Sequence, residues 1–262
     1  MARLTLLPLA ALLFFIIGSL CALLFQLDLE TLPALLADVE IRFALGLSLL
    51  TSLISLALAA LISLPAAWAM VRLRIPGKGA LNLLLDLPMV TPPLVVGIGL
   101  LLLLGREGPV GQLAPMISQS LFSPLGIVIA QTYVASAIIV RSASAALASI
   151  ETAYVQTAYN LGLTPLKTLL LVEVPLIWRS LLSGCVLALS RALGEFGATL
   201  MLAGATRMKT ETLPIAVYLN IASGEFAPAI GCALVLIFFA FLLLLLLHLL
   251  QKAPRRESDV KC

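Results

Sequence analysis

Long uncharged stretches divide this chain and predict its architecture. A membrane hydrocarbon core of about 30 Å is crossed by roughly 20 apolar residues in a helix. No Asp, Glu, Lys or Arg lies within residues 4–27, 43–71, 108–140 and 226–251. Residues 79–105 carry one charge, Asp86, and residues 180–206 carry two, Arg191 and Glu195. The pattern predicts six helices, near residues 4–25, 43–70, 82–104, 124–146, 178–203 and 228–250.

These runs favour an all-α polytopic membrane protein over a β-barrel. A barrel strand is a segment of about ten alternating residues, whereas residues 242–247 are six consecutive leucines. The first run could be a secretory signal, since Arg3 precedes it. It is longer than a usual signal core and lacks a small-residue cleavage site, so we expect a membrane helix there.

The composition supports a membrane protein and argues against a soluble domain and a nucleic-acid-binding protein. Hydrophobic residues make up 61% of the chain, charged residues 11%, and the mean hydropathy is +1.14. Soluble domains have roughly 45–50% hydrophobic residues and 25% charged residues. A net charge of +3 does not indicate nucleic acid. None of the four cysteines forms a CxxC pair and there is one histidine, so we expect no metal site.

Basic residues predict the orientation of the helices, because cytoplasmic segments are enriched in Lys and Arg. With the N-terminus inside, eleven basic residues fall in inside segments and four in outside loops. The inside set is Arg3, Arg72, Arg74, Lys78, Arg141, Lys167, Arg179, Lys252, Arg255, Arg256 and Lys261. The outside set is Arg42, Arg106, Arg207 and Lys209. Both termini are therefore expected in the cytoplasm.

The longest inside segment, residues 149–177, has a shape suited to docking. Residues 150–161 have helical character, with Tyr154, Ala158 and Leu161 on one side. Gly162 is placed to end this helix, and Thr164 followed by Pro165 is placed to start another. A helix, a glycine turn and a second helix can enter a groove on another protein, but they can equally be an ordinary connector.

This segment resembles the EAA loop of ABC importer permeases of the type I fold. The shared pattern is a small residue, Ala, two residues, Leu-Gly, nine residues, and then aliphatic-x-aliphatic-Pro. The matching residues here are Thr157, Ala158, Leu161, Gly162, Val172, Val174 and Pro175. In that family the loop inserts into a cleft of the ATPase subunit. The chain departs from the pattern at Gln156, where the family usually has Glu.

Four further segments extend the resemblance over nearly all the chain beyond the first helix. They are residues 63–76, 86–97, 191–204 and 212–218. They resemble the branch of the family that serves molybdate, tungstate and sulfate, and residues 191–204 (RALGEFGATLMLAG) are most similar to molybdate permeases. Sulfate permeases share the RxLGEFG core, so sulfate and tungstate stay open as cargo.

The resemblance implies a translocation subunit without catalytic chemistry of its own. A single transmembrane permease domain, residues 1–262, would form a homodimer in the cytoplasmic membrane of a bacterium or archaeon. Two copies of an ABC ATPase would bind ATP and Mg²⁺, since the chain has no GxxxxGK[ST] loop. An extracytoplasmic binding protein would deliver the oxyanion. An ion-coupled secondary transporter and an intramembrane enzyme are the alternatives from other classes.

Two membrane motifs are candidates for the translocation pathway. Pro88, Pro92 and Pro93 predict a bend or break in the third helix, which either lines a pathway or only fits neighbouring helices. Asp86 nearby could be a first-turn acid that favours the helix dipole.

Arg191 and Glu195 form the second motif. They are four residues apart, so they can pair on one helix face. Gly194 and Gly197 flank Glu195 and would allow close helix approach. The pair is either part of an anion pathway or a clamp between helices with no contact to substrate.

Overall fold

A computed structural model describes residues 2–26 and 37–251 of the protein, and within these ranges the regular elements are all helices. Four basic residues used for the orientation lie outside the described residues: Lys252, Arg255, Arg256 and Lys261. The helices are α1 (Ala2–Phe25), α2 (Val39–Arg72), α3 (Lys78–Val90), α4 (Pro93–Leu104), α5 (Pro109–Leu113), α6 (Pro115–Gln119), α7 (Pro124–Ala148), α8 (Thr152–Asn160), α9 (Pro165–Thr168), α10 (Val174–Leu193), α11 (Gly197–Ala203), α12 (Leu213–Ala222) and α13 (Phe226–Gln251). A π-helical turn, Leu169–Glu173, joins α9 to α10.

The prediction of six spans is confirmed. Among the described residues, six helical segments are long and apolar enough to cross a membrane: 6–25, 39–72, 93–113, 124–148, 165–193 and 226–251. Two spans have bounds that differ from the sequence expectation. The third span runs over 93–113 rather than 82–104. The fifth runs over 165–193 rather than 178–203, because the helix after the glycine turn continues into the membrane segment.

The third helix breaks at its prolines, as predicted. Helix α3 ends at Val90, and Thr91 has an extended backbone with φ −69° and ψ 135°. A residue that precedes proline is disfavoured in the helical region, and neither Pro92 nor Pro93 can donate a backbone hydrogen bond. Thr91 closes the end of α3 with two bonds to the Leu87 carbonyl, from its N–H at 2.9 Å and from its Oγ1 at 2.8 Å.

The fifth predicted helix, near residues 178–203, is also broken, and the sequence pattern did not indicate this break. Helix α10 ends at Leu193 and α11 begins at Gly197. The residues between them, 194–196, include Glu195, whose side chain accepts a hydrogen bond from the N–H of Ala198 at 2.9 Å. This bond satisfies one of the donors that a helix start leaves free.

The described residues form two compact units. The larger unit contains residues 49–204 and 239–251, and one of its buried clusters consists largely of small residues, with Ala59, Ala135 and Ala188 fully buried. Buried hydroxyls bind backbone carbonyls of other helices: Ser55 Oγ donates to Val128 O at 3.1 Å and Ser63 Oγ to Ser136 O at 3.2 Å. Small residues and polar bonds of this kind hold helices together where lipid removes the hydrophobic driving force.

The smaller unit contains residues 2–26, 37–48 and 205–238. Its buried cluster joins Ile41 and Ala44 of α2 to Leu213 and Ala216 of α12 and Cys232 of α13. The hydroxyl of Ser48 accepts the N–H of Leu213 at 2.8 Å, which satisfies a donor in the first turn of α12.

Candidate functional site

The loop that resembles the EAA loop contains a regular helix stop. Helix α8 ends at Asn160, and Gly162 has a left-handed φ of +81°. The N–H of Leu163 binds the Ala158 carbonyl at 3.1 Å, and the N–H of Gly162 binds the Tyr159 carbonyl at 2.9 Å. These two bonds form a Schellman motif, which glycine favours because it lacks a Cβ. The predicted role of Gly162 in ending the helix is confirmed.

The second half of the loop begins as predicted and then departs from α-helical geometry. Thr164 caps α9 through its Oγ1, which accepts the N–H of Lys167 at 3.5 Å, and Pro165 follows it. Further on, the N–H of Val174 binds the Leu169 carbonyl, five residues back. This π turn lies directly before Pro175, which has no N–H of its own to donate. Val172 lies in the turn, and Pro175 lies in the first turn of α10.

The faces of α8 differ from the sequence expectation. Val155 and Ala158 are buried, whereas Tyr154 is 53% and Leu161 77% exposed. Val155 and Ala158 therefore face the core, and Tyr154 and Leu161 do not share that face with Ala158. Gln156 and Thr157 are also exposed. The loop thus presents an outward surface that includes apolar side chains, and Val155 anchors it to the core cluster of the larger unit.

The two broken helices meet inside the larger unit. A Cβ on Gly197 would lie 2.7 Å from the Cβ of Pro93 and 2.9 Å from the N of Leu94. A Cβ on Gly97 would lie 2.9 Å from the Cα of Ala198. Real side chains do not approach this closely, so glycine is what allows α4 and α11 to pack. The expected close approach is found at Gly197. It is not found at Gly194, whose nearest such neighbour is the Ser190 carbonyl at 3.6 Å.

Arg191 and Glu195 are paired at this junction. Arg191 NH1 lies 2.6 Å from Glu195 Oε2, and the other carboxylate oxygen accepts the N–H of Ala198. The Glu195 side chain is fully buried and that of Arg191 is 38% exposed. One carboxylate therefore neutralises the arginine and caps α11, while part of the guanidinium stays accessible.

A cavity of about 390 Å³ opens beside the pair. It is lined by Pro92, Pro93, Leu94, Arg191, Gly194, Glu195, Phe196 and Gly197. Six of the seven pathway candidates from the sequence thus surround one cavity, although they come from two separate motifs, whereas Pro88 lines a different cavity. An accessible guanidinium whose charge is already balanced can attract an anion only weakly, and this suits passage better than capture.

The sequence reasoning missed a buried charged cluster at the base of the loop. Glu173 lies in the π turn and is fully buried. Its Oε1 accepts Arg72 Nε at 2.7 Å, and its Oε2 accepts Trp68 Nε1 at 2.9 Å. The sequence pattern places Arg72 among the inside charges and assigns no role to Glu173. Glu173 lies four residues from both Leu169 and Ile177, and this spacing is the sequence signal that could have indicated its place in a buried row.

Asp86 is not a first-turn acid, and that expectation is wrong. Helix α3 begins at Lys78, so Asp86 lies more than two turns into it. Its Oδ1 lies 2.9 Å from Arg141 Nε of α7, and both side chains are partly exposed. The acid thus pairs with another helix rather than with the dipole of its own.

Arg207 organises a second charged group, in the smaller unit. It pairs with Glu40 and Glu225 and donates to Asn220 Oδ1 and Ser223 Oγ, both at 3.1 Å. The hydrogen bond to Glu225 is the main cause that raises the pKa of the Arg207 guanidinium. Burial raises the pKa of the Glu211 carboxyl nearby, although the N–H of Met208 donates to it at 2.9 Å.

Comparison with known proteins places these features in a family. A family described as "Binding-protein-dependent transport system inner membrane component" matches residues 59–256. The molybdenum transport system permease protein ModB of Mycobacterium tuberculosis is 35% identical, over 91% of this chain and 90% of that protein. ModB of Azotobacter vinelandii is 31% identical, over 79% and 91%. The sulfate transport system permease protein CysT of Synechocystis is 32% identical, over 74% and 68%.

The fold has a counterpart among solved structures. A chain in the crystal structure of a bacterial alginate ABC transporter, in complex with an alginate pentasaccharide-bound periplasmic protein, superposes with a TM-score of 0.77. The match covers 96% of this chain and 93% of that chain at 15% identity. This likeness establishes the helical architecture.

The different burial of Arg191 and Glu195 predicts unequal effects of removing either charge. Arg191→Gln should lower the free energy of unfolding by up to about 3 kcal/mol, because it leaves a buried carboxylate without its partner. Glu195→Gln should cost less, because the amide oxygen can still accept the Ala198 N–H and Arg191 is partly solvated. The double variant should recover much of the loss.

Denaturation of the purified variants in detergent, followed by tryptophan fluorescence, measures these differences. The conservative Arg191→Lys variant is the matched control and should keep most of the stability. Wild-type stability of both single variants would contradict the pairing.

Proposed function

The chain belongs to the binding-protein-dependent transport system inner membrane component family, whose members are ABC importer permeases, and we propose that it carries molybdate into the cytoplasm. The family match covers residues 59–256, which include the coupling loop and both broken helices. The chain would itself form and break no covalent bond. It would supply the membrane path, and its partners would supply energy and capture.

The observation that carries the choice of cargo is the similarity to several molybdenum permeases, over 70% to 91% of this chain. The identity to ModB of M. tuberculosis extends over 91% of this chain. The match to the sulfate permease CysT is less extensive, at 74% of this chain. Sulfate, a tetrahedral oxyanion of the same charge, is therefore the second candidate.

The junction of the broken helices supports a role as part of the pathway. Backbone that leaves helical geometry at membrane depth is tolerated where it is buried in protein or faces water. Here two such breaks, at residues 91–92 and 194–196, lie against one cavity. The accessible side of Arg191 would guide the dianion, and Glu195 would keep the attraction weak enough for release.

The coupling loop supports the presence of an ATPase partner. Tyr154, Tyr159 and Leu161 expose large side chains on a loop that the charge pattern places in the cytoplasm. Exposed apolar patches on a protein surface commonly mark the place where a protein partner binds. We infer that α8 of each of two permease copies enters a groove on one of two ATPase subunits, which bind ATP and Mg²⁺. Gln156 would replace the carboxylate of the family by a neutral contact.

A homodimer and a binding protein complete the proposed assembly. Two copies of the six-helix subunit would enclose the path, and the outside loops would receive the oxyanion from an extracytoplasmic binding protein. ATP binding to the ATPase would then favour one of two states of the permease through its contacts with the coupling loop. This places the subunit in a bacterial or archaeal cytoplasmic membrane.

We infer that both termini face the cytoplasm, and the charge clusters support this. Arg72, Leu147 and Glu173, which are bonded together, all belong to segments assigned to the inside. Single cysteines at the exposed positions Met116 and Lys167, in a background without native cysteines, test the assignment. An impermeant thiol reagent added to intact cells should label position 116. Labelling of position 167 under the same conditions would contradict the orientation.

The cargo is tested by uptake of radiolabelled molybdate, tungstate and sulfate. The complex is expressed with its ATPase and binding protein in cells that lack their own importers. We expect molybdate uptake that depends on ATP and is reduced by an excess of unlabelled molybdate but not of sulfate. Uptake of sulfate alone would replace molybdate by the second candidate. Absence of ATP-dependent uptake of any of the three anions would contradict the proposal.

The coupling loop is tested at Gly162. In Gly162→Val, a β-branched residue must adopt φ near +81°, at a cost of about 1 kcal/mol or more. No heavy atom lies within 4 Å of an added Cβ, so the strain comes from the backbone and not from a clash. The variant should reach the membrane but lose most of its uptake.

Gly162→Asn is the matched control, because asparagine tolerates the left-handed region. It should keep most of the transport. Uptake and ATPase stimulation are measured per assembled complex. Equal uptake by the valine variant and the wild type would remove this turn from the coupling mechanism.

A further inference from the structure

A single carboxylate interrupts an apolar cluster in the larger unit. Leu169, Glu173 and Ile177 follow one another at intervals of four residues and all are buried. Leu169 and Ile177 belong to the cluster that contains Val155 of the coupling helix α8. Glu173 therefore lies in the row of side chains against which that helix packs, at a position where leucine would continue the pattern.

Every side-chain oxygen of Glu173 has a partner on α2. Oε1 lies 2.7 Å from Arg72 Nε and 2.6 Å from Arg72 NH2, and Oε2 accepts Trp68 Nε1 at 2.9 Å. Arg72 NH2 also donates to the Leu147 carbonyl at 3.1 Å. Arg72 is the last residue of α2, and Leu147 lies in the last turn of α7. The group joins the π turn to the ends of two membrane helices.

Packing alone does not account for this arrangement. A buried ion pair seldom stabilises a protein more than apolar residues of similar volume, because both charges lose their hydration. A fully bonded ion pair fixes the position of one helix relative to the other. Apolar burial is non-directional, whereas displacement of Glu173 from Arg72 would leave a buried charge without its partner.

We propose that Arg72, Trp68 and Glu173 form a joint that transmits movement of the coupling loop to α2 and α7. This inference rests on the proposed function of the chain as an ATP-driven permease. When the ATPase displaces α8, the contact of Val155 with the cluster moves the π turn, and the bonds of Glu173 carry α2 with it. The bond from Arg72 to the Leu147 carbonyl extends the connection to α7. The three residues are positioning residues and touch no cargo.

The joint is tested by replacing it with an apolar pair. In Arg72→Met/Glu173→Leu both charges are removed together, so neither is left unpaired. The complex with ATPase and binding protein is reconstituted in liposomes, and molybdate imported per ATP hydrolysed is measured. Loss of the connection should lower this ratio below that of the wild type, because ATP hydrolysis would then continue without movement of α2 and α7. A structural role would change the amount of assembled complex but not the ratio.

Asp86→Asn/Arg141→Gln is the matched control. It removes an ion pair of the same unit that joins α3 to α7 and is partly exposed. Its ratio should equal that of the wild type. An unchanged ratio in the Arg72→Met/Glu173→Leu complex would overturn the joint.

A milder variant keeps the proposal testable if the double variant does not assemble. Trp68→Phe removes one donor to Glu173 and keeps an aromatic ring in the cluster, so it should assemble and show a smaller decrease of the ratio. An unchanged ratio in Trp68→Phe would then overturn the joint. If the wild type imports none of the three oxyanions, the proposed cargo fails instead, and stimulation of ATP hydrolysis by the binding protein becomes the measurement that decides the joint.

Discussion

The hydrocarbon core of a membrane offers no hydrogen-bond partner, and this constraint governs both breaks that the structure describes in the membrane helices. Each interruption of a membrane helix must be closed by the protein itself. Thr91 closes the end of α3 with its own side chain, and Glu195 closes the start of α11. The buried serines of the larger unit bind carbonyls of neighbouring helices for the same reason. The permease can thus contain two broken helices because a side chain at each break supplies a hydrogen-bond partner for the helix end.

The same constraint explains how the charges of the larger unit are distributed. Glu173 and Glu195 are fully buried, and each lies beside an arginine that keeps some contact with solvent. Asp86 and Arg141 are both partly exposed. The proposed roles of the two pairs agree with their different burial. The fully bonded Glu173 suits a rigid connection, whereas the half-accessible Arg191 suits a transient contact with an anion.

The two ends of the proposed mechanism require opposite kinds of surface. A partner that must push on the coupling loop needs a firm, partly apolar contact, and α8 presents Tyr154 and Leu161 on a helix closed by Gly162. A cargo that must leave needs weak contacts, and the cavity beside Arg191 has its charge already balanced. The connection between these ends runs through the larger unit, where Glu173 lies in the same row of buried side chains as the anchor of the coupling helix.

The sequence by itself determined the number of spans, the break at the prolines and the turn at Gly162, because each depends on local chemistry. Hydrophobic length sets a membrane helix, proline removes a donor, and a left-handed turn favours glycine. It also indicated the Arg191–Glu195 pair, since four residues along a helix bring side chains together. Only the tertiary structure decided that Glu173 meets Arg72, that Asp86 meets Arg141, and that Val155 rather than Tyr154 faces the core. These contacts join residues far apart in the chain, where no local spacing reports which helix faces which.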